Sequence, residues 1–313
     1  MAASLSPELS ILFGRLRPCA PIAFGDLTLV PLVLDRAFDV SADADLLEEG
    51  LLHGRTTISE VDERGRVGTV RVRHEGARLL LLVDGEQILG AKQNRVFNAS
   101  FLVPPGASVD LPVSCVERER WRYETSTFRA SAATLTTVAR ARKLGRVTTS
   151  IASSDRYDAD QGEVWRDVDG YLERTQTLSP TSSIHDGMAV RASAVQRRIE
   201  RLTPLPRQVG LATVRADEVV AIDVFGSPSL FSRGWRKVAR GVLSEDFEER
   251  PPCRDAVSAV ARALTTLSRL PVVRRSAPGL GETLHGSHGG YVAGAVVHRR
   301  RLYHAVVAGQ VQA

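Results

Sequence analysis

Between residues 56 and 116 the chain meets a turn signal about every ten residues, and the segments between those signals are too short for stable helices. Val70 and Val72 alternate with Arg71 and Arg73, the period-two pattern of a strand with one face buried. Residues 79–83 are wholly apolar, which predicts a strand central in a sheet. The punctuation is Arg64-Gly65, then Asp84-Gly85, then Pro104-Pro105-Gly106. Asp-Gly predicts a type I′ hairpin turn, because glycine tolerates the positive φ that such a turn needs. Further strands are expected at 56–62, 86–90, 96–103 and 109–116. A run of short strands at this spacing constrains residues 20–125 to a β-sandwich or jelly-roll-like domain. Before it come a short helix at 6–13, an extended segment at 21–35 carrying Leu27, Leu29 and Val30, and a helical stretch at 44–52.

From about residue 127 the period changes. Leu135 and Val138 fit a short helix. Val164, Val168, Tyr171, Leu172 and Thr175 recur at helical spacing behind Asp160, a residue type suited to cap a helix. Ala192, Val195, Ile199 and Leu202 repeat the pattern until Pro204 and Pro206 end it. Residues 126–205 therefore read as a helical connecting subdomain. Residues 206–313 mix both periods: a hairpin of 209–214 with 219–225, two helices, and a terminal hairpin of 291–297 with 302–307. Ser227 caps the first of those helices, and Pro228 sits in its first turn, where a missing N–H costs nothing. Its apolar face is Phe231, Trp235, Val238 and Val242, and that of the second is Val257, Val260, Leu264 and Leu267. The expected class is α+β, with a β-sandwich-like first half, a helical middle and a mixed C-terminal layer packed as one body.

Composition excludes several alternatives. With 43% hydrophobic and 25% charged residues in 313, the chain is neither disordered nor a low-complexity scaffold. No apolar run approaches the ~18 residues of a membrane span, and the first residues show no secretion signal. Cys19, Cys115 and Cys253 are an odd number at wide spacings, so neither a disulfide framework nor a zinc ribbon is expected, and a reducing cytoplasm is the simplest setting. The net charge of +5 is concentrated: from Pro251 onward eight arginines face only Asp255 and Glu282. A basic end can mark a nucleic-acid partner. Solvated arginines on a helix and a hairpin account for it better, since no RNP-like aromatic motif accompanies them.

The segment from Asp84 to Asn98 concentrates hydrogen-bonding side chains between strands. Lys92 and Arg95 offer a point charge and a planar fork suited to phosphate or carboxylate. Lys92 also stands out because the only other lysines are Lys143 and Lys237. Gln93, Asn94 and Asn98 can each donate and accept, as recognition of a base or sugar requires. The competing reading is a loop whose amides satisfy strand ends. Glu86 and Glu117 are candidate general bases, and Cys115 a candidate nucleophile if a neighbour lowers its pKa. A cysteine in an apolar strand is more often an inert core residue. Trp121 beside this cluster and Asp223 at the end of an apolar strand are further candidate ligand contacts. Anchoring the following turn and helix N-terminus accounts for Asp223 better. The run from Gly279 to Gly290 matches neither a dinucleotide fingerprint nor a nucleophile elbow, and His285 with His288 lacks a third ligand at a recognised spacing. No metal is expected, and no cofactor is specified.

Three stretches carry a resemblance: Ile58-Ser-Glu-Val61, the run from Val83 to Arg95 that ends Gly-Ala-Lys-Gln-Asn-Arg, and Pro112-Val-Ser-Cys-Val-Glu117 with Trp121. With Gly162-Glu-Val-Trp165, Ser179-Pro-Thr181 and Asp223-Val-Phe-Gly-Ser-Pro228, the chain resembles the ADP-ribosylglycohydrolase and rhodanese-phosphatase associated domain family over residues 20–310. Where that family favours glycine before Arg-Trp, this chain has Glu119 before Arg120-Trp121. The resemblance implies a link to ADP-ribose and phosphate chemistry, without a reaction. The functional expectation is a pocket for a phosphate-bearing, nucleotide-derived ligand, held by Lys92 and Arg95 and oriented by Gln93, Asn94 and Asn98. The rival is a non-catalytic interaction or assembly module, including a homo-oligomer.

Overall fold

The computed structural model describes residues 3–34, 43–63, 65–245 and 252–309. Asp35, at the end of the expected extended segment, and Arg64, of the expected Arg64-Gly65 turn, lie outside the described residues. The fold is mixed α+β, with eight helices among the described residues and large antiparallel sheets.

The largest sheet joins the two ends of the chain. Its ten strands run Ser4–Leu5, Pro271–Ser276, Glu282–His288, Tyr291–His298, Arg301–Gly309, Glu218–Phe225, Gln208–Arg215, Leu27–Leu34 and Leu16–Pro18, with Ile22–Phe24 beside Leu27–Leu34. Side chains alternate across it. Ile222 and Val224 face one core with Leu12, Phe13, Val260 and Leu264 from the helices Pro7–Arg15 and Ala256–Leu267. Phe225 faces the other, where the helix Pro228–Leu243 buries Phe231, Trp235, Val238 and Val242. That helix begins as expected: Ser227 Oγ accepts from Leu230 N at 3.1 Å, and Pro228 follows. The expected hairpins of the last third form, the terminal one turning at Arg299 and Arg300, both in the left-handed region.

The β-rich half forms two smaller sheets. One has six strands, Phe128–Thr134, Glu86–Gly90, Arg95–Phe97, Ala107–Cys115, Thr69–His74 and Thr56–Glu60. The other has three, with Leu80–Leu82 between Phe101–Val103 and Asp45–Leu46, so the apolar strand is central as expected. Both contribute to one core, Ile58, Val72, Ile88 and Phe97 meeting Leu80, Leu82 and Phe101.

The strand expected at 96–103 is divided between the two sheets, Arg95–Phe97 in the six-stranded one and Phe101–Val103 in the three-stranded one, where Asn98 and Ser100 turn their side chains to Tyr157 O and Asp84 N. Two other sequence expectations need correction. Asp84-Gly85 makes a turn, with Glu86 N donating to Val83 O at 3.0 Å, but not a type I′ hairpin. Gly85 has φ +74° while Asp84 stays outside the positive region, and the turn hands the chain from the three-stranded sheet to the six-stranded one. The reason is Asp84 itself: its buried carboxylate takes Lys143 Nζ at 2.7 Å and Arg140 Nε at 3.1 Å, which fixes the turn against a helix instead of a neighbouring strand. That helix, Thr137–Ser154, is the second correction. It has 18 residues where a short one was expected, because its inner face holds cations as well as apolar groups and so hides from hydrophobic periodicity. The helices Gln161–Arg174, Ile184–Val190 and Ala192–Ile199 complete the middle, and Asp160 caps the first by accepting from Glu163 N.

Candidate functional site

The strand Glu86–Gly90 ends where its backbone turns sharply, with Gly90 at φ +110° and Ala91 at φ +43°. A Cβ on Gly90 would lie 2.4 Å from Thr125 Oγ1, so only glycine fits. Asn94 closes the loop. Its Oδ1 accepts from Gly90 N at 3.0 Å, its backbone N–H donates to Glu117 Oε2 at 2.9 Å, and its Nδ2 donates to Ser183 Oγ at 3.2 Å. Arg120 grips the same loop from the other side. Nε and Nη2 donate to the two carboxylate oxygens of Glu117 at 2.9 and 2.7 Å, and Nη1 donates to Ala91 O at 2.6 Å. Burial pushes the Glu117 carboxyl up, but Arg120, the Asn94 N–H and Thr181 outweigh it and hold the group below its ordinary value. Glu117 is thereby ionised and occupied.

This knot forms the floor of a cleft of about 790 Å³ between the loop, the segment 120–129 and residues 181–186. Asn94, Glu117, Arg120, Arg122, Arg129 and His185 are among its lining residues. The guanidinium groups of Arg122 and Arg129 have no ion-pair partner among the described residues, and both side chains are exposed. Thr125, Thr181 and Ser183 add hydroxyls. His185 is half-buried, and desolvation with the nearby Arg129 charge lowers its pKa against the opposing pull of Asp186 and Glu117. Its imidazole is therefore neutral at pH 7.

Of the residues singled out from sequence, the cleft brings together Asn94 and Glu117. The others lie elsewhere. Arg95 is wholly buried against Glu60, 3.2 Å from each carboxylate oxygen, and donates to Arg66 O and Val67 O. Lys92 donates to Glu63 O and lies 5.5 and 5.0 Å from the ring centres of Trp121 and Tyr123. Gln93 Nε2 donates to Arg118 O at 3.1 Å. Asn98 joins Tyr157 O to Ser114 Oγ. Cys115 is buried, with its thiol pushed up to about 11 by desolvation, so it stays protonated at neutral pH. Glu86 pairs with Lys237 beneath the helix Pro228–Leu243. Asp223 accepts two hydrogen bonds from Arg140, at 2.9 and 2.7 Å, in the interior. Trp121 is 46% exposed, outside the cleft lining.

Glu119, the departure from the family pattern, adopts no positive φ and donates its N–H to Thr181 O at 3.0 Å, so no glycine is required there. Arg122, Arg129 and His185 were not among the residues singled out. The available signal was Ser179-Pro-Thr181, whose segment crosses back to Glu117 through the bridge between Glu117 and Ser183. Among the described residues no group of three or more His, Cys, Asp or Glu side chains could hold a metal ion. His285 is buried with its pKa lowered to about 4, while His288 is exposed. In the basic tail, Arg274 pairs with Glu8 and Glu282, and Arg275 with Asp155. No described helix is long and apolar enough to cross a membrane.

Fold and site together define an α+β protein with a polar, arginine-lined cleft beside a buried loop motif. The chain belongs to the ARG and Rhodanese-Phosphatase-superfamily-associated Protein domain family (ARPP-1), whose sequence profile matches residues 15–308. Searches of curated proteins and of solved structures find no match to the chain.

Proposed function

We propose that the cleft binds a phosphate-bearing, nucleotide-derived ligand. The observation that carries this reading is the pair of exposed guanidinium groups, Arg122 and Arg129, which have no ion-pair partner among the described residues and line a cleft whose other arginine, Arg120, is already committed to Glu117. Planar guanidinium forks match phosphate oxygens, and the Ser183 hydroxyl, which accepts from Asn94 Nδ2, keeps its proton for a sugar or phosphate oxygen, while Thr125 and Thr181, whose protons go to Thr127 O and Glu117, can only accept from a sugar hydroxyl. The family name, with its reference to ARG, supports a ligand related to ADP-ribose. Glu117 is too firmly held to take a proton. If the bound ligand is turned over, neutral His185 is the group placed to do so. The free thiols Cys19, Cys115 and Cys253 support a reducing, cytoplasmic setting.

Thermal unfolding with and without ADP-ribose, AMP and inorganic phosphate tests the reading. Ligand at a hundred times its Kd should stabilise the fold by about 2.7 kcal/mol. Arg129→Ala and Arg122→Ala should each weaken that gain. Identical melting temperatures across the panel would remove the proposal.

One observation favours a second reading, a protein-interaction module. Trp121 and Tyr123 are 46% and 50% exposed and stand together over the Lys92 ammonium, and exposed tryptophan and tyrosine are residue types enriched at interfaces. On this reading with a second copy as partner, light scattering shows a dimer that Trp121→Ala dissociates. A monomer at all concentrations excludes self-assembly.

A further inference from the structure

The polar cleft and a second hollow share a wall. His185 also lines a hollow of about 570 Å³, whose other sides include Ala133, Met188, Ala189, Ala192 and Val195. The same two elements build both spaces. The strand Phe128–Thr134 gives Arg129 to the cleft and Ser131 and Ala133 to the hollow. The helix Ile184–Val190 gives His185 to both, with Met188 and Ala189 to the hollow alone.

Their chemistry differs sharply. Carboxylates, guanidinium groups and hydroxyls dominate the cleft, whereas methyl groups and a thioether dominate the hollow. Among the described residues Arg240 is the single arginine lining the hollow, and Gln196, Ser131 and Ser193 supply its polar edge. A bare phosphate would occupy a small part of the cleft and none of the hollow. Small-molecule sites commonly combine an apolar chamber with a few convergent polar groups, in volumes of ~300–1,000 Å³.

We infer that the ligand is bipartite, an anionic head held in the cleft by Arg122 and Arg129 joined to an apolar body that passes His185 into the hollow. This inference rests on the cleft reading above and adds the body. The occupant follows from charge and polarity together: the arginines demand an anion, and the methyl-lined space rewards an uncharged group attached to it. His185 stands where head and body would meet, able to donate or accept one hydrogen bond without bringing a charge. The apolar body can be a planar ring or a short chain, and the two are separable by experiment.

Isothermal titration with inorganic phosphate, AMP and octyl phosphate below its micellar concentration provides the test. The expected result is that at least one organic phosphate binds tenfold or more tightly than phosphate itself. AMP gaining identifies a ring, and octyl phosphate gaining identifies a chain. Ala189→Trp and Ala192→Trp place an indole in the hollow at solvent-facing positions that the fold tolerates. Each should erase the gain while leaving phosphate affinity unchanged, and Arg129→Ala should weaken all three ligands. Organic phosphates that bind no better than phosphate, or a gain that survives both tryptophan variants, overturn the bipartite ligand and leave the cleft reading intact. Absence of binding by all three overturns the cleft reading, and the bipartite ligand falls with it.

Discussion

Arg95 and Glu60 face each other in the interior, the guanidinium Nη2 lying 3.2 Å from both carboxylate oxygens, with the Trp121 ring 5.6 Å from the guanidinium carbon. The pair ties the strand Arg95–Phe97 to the far edge strand Thr56–Glu60 of the same sheet. A buried pair of this kind adds little net stability over apolar groups of equal shape, but removing one member strands the other charge. Arg95→Met should therefore cost about 3–5 kcal/mol. Arg95→Met with Glu60→Leu should recover part of the loss, limited by Arg66 O and Val67 O, which each lose one donor, and by Lys92 N, which loses Glu60 as acceptor. Urea unfolding of the single and double variants measures both. A single variant as stable as the wild type would show that the pair carries no such constraint.

The buried thiol offers a direct check on nucleophilic chemistry. Cys115 is walled in, and its backbone is clamped by Gln161, which donates to its carbonyl and accepts from its N–H, each at 2.8 Å. With the thiol raised to about 11, the reactive thiolate is nearly absent at pH 8. Iodoacetamide at that pH should label half-exposed Cys19 and Cys253 first and reach Cys115 only on unfolding. Mass spectrometry reads the order directly, and rapid native labelling of Cys115 would restore it as a candidate nucleophile.

The mixed α+β class and several element boundaries were legible because local chemistry decides them. Ser227-Pro228 starts a helix, alternating Val70 and Val72 face one core, and the hairpin of Gln208–Arg215 with Glu218–Phe225 turns where expected. The pairing of Leu27–Leu34 with Gln208–Arg215 was not legible, since nothing local links positions some 180 residues apart. The candidate site was legible in part for the same reason. Polar residues between strands mark a place where hydrogen bonds converge, but composition does not say whether they converge on a ligand or on the chain. Arg95 and Asn98 meet the chain, whereas Asn94 and Glu117 do so and also floor the cleft. Arg129 and His185 looked ordinary because their meaning comes from a neighbour far away in sequence.

Gly90 controls the shape of the cleft floor. Its φ of +110° excludes ordinary side chains, and Thr125 Oγ1, which would collide with a new Cβ at 2.4 Å, also accepts from Ala91 N at 3.0 Å. Gly90→Ala therefore combines backbone strain of about 1–3 kcal/mol with a displaced hydrogen-bond acceptor. The expected outcome is a lower urea midpoint together with weaker phosphate binding, because Arg120 and Glu124 lean on the same loop through Ala91 O. Thr125→Ala alone should cost less, since it removes the hydroxyl's two hydrogen bonds, from Ala91 N and to Thr127 O, without forcing the backbone. Equal stability of Gly90→Ala and wild type would contradict the assigned backbone geometry.

Acid sensitivity follows from His285. The side chain is wholly buried beside Leu144 and Tyr157, and desolvation lowers its pKa to about 4, helped by the Lys143 charge and opposed by Asp84. In the unfolded chain the group titrates near 6.5. Between those values the unfolded state binds the proton and the native state does not, so stability is full above pH 6.5 and falls as the pH drops toward 4. From pH 7 to pH 5 the loss from this one residue is about 2 kcal/mol. His185, shifted in the same direction, adds to it. Replacing the imidazole by an uncharged group, His285→Gln, should flatten the pH profile over this interval even if it lowers stability at pH 7. Urea unfolding at pH 7, 6 and 5 compares the slopes, and a variant that loses stability as steeply as the wild type would mean that the buried imidazole is not what the acid titrates.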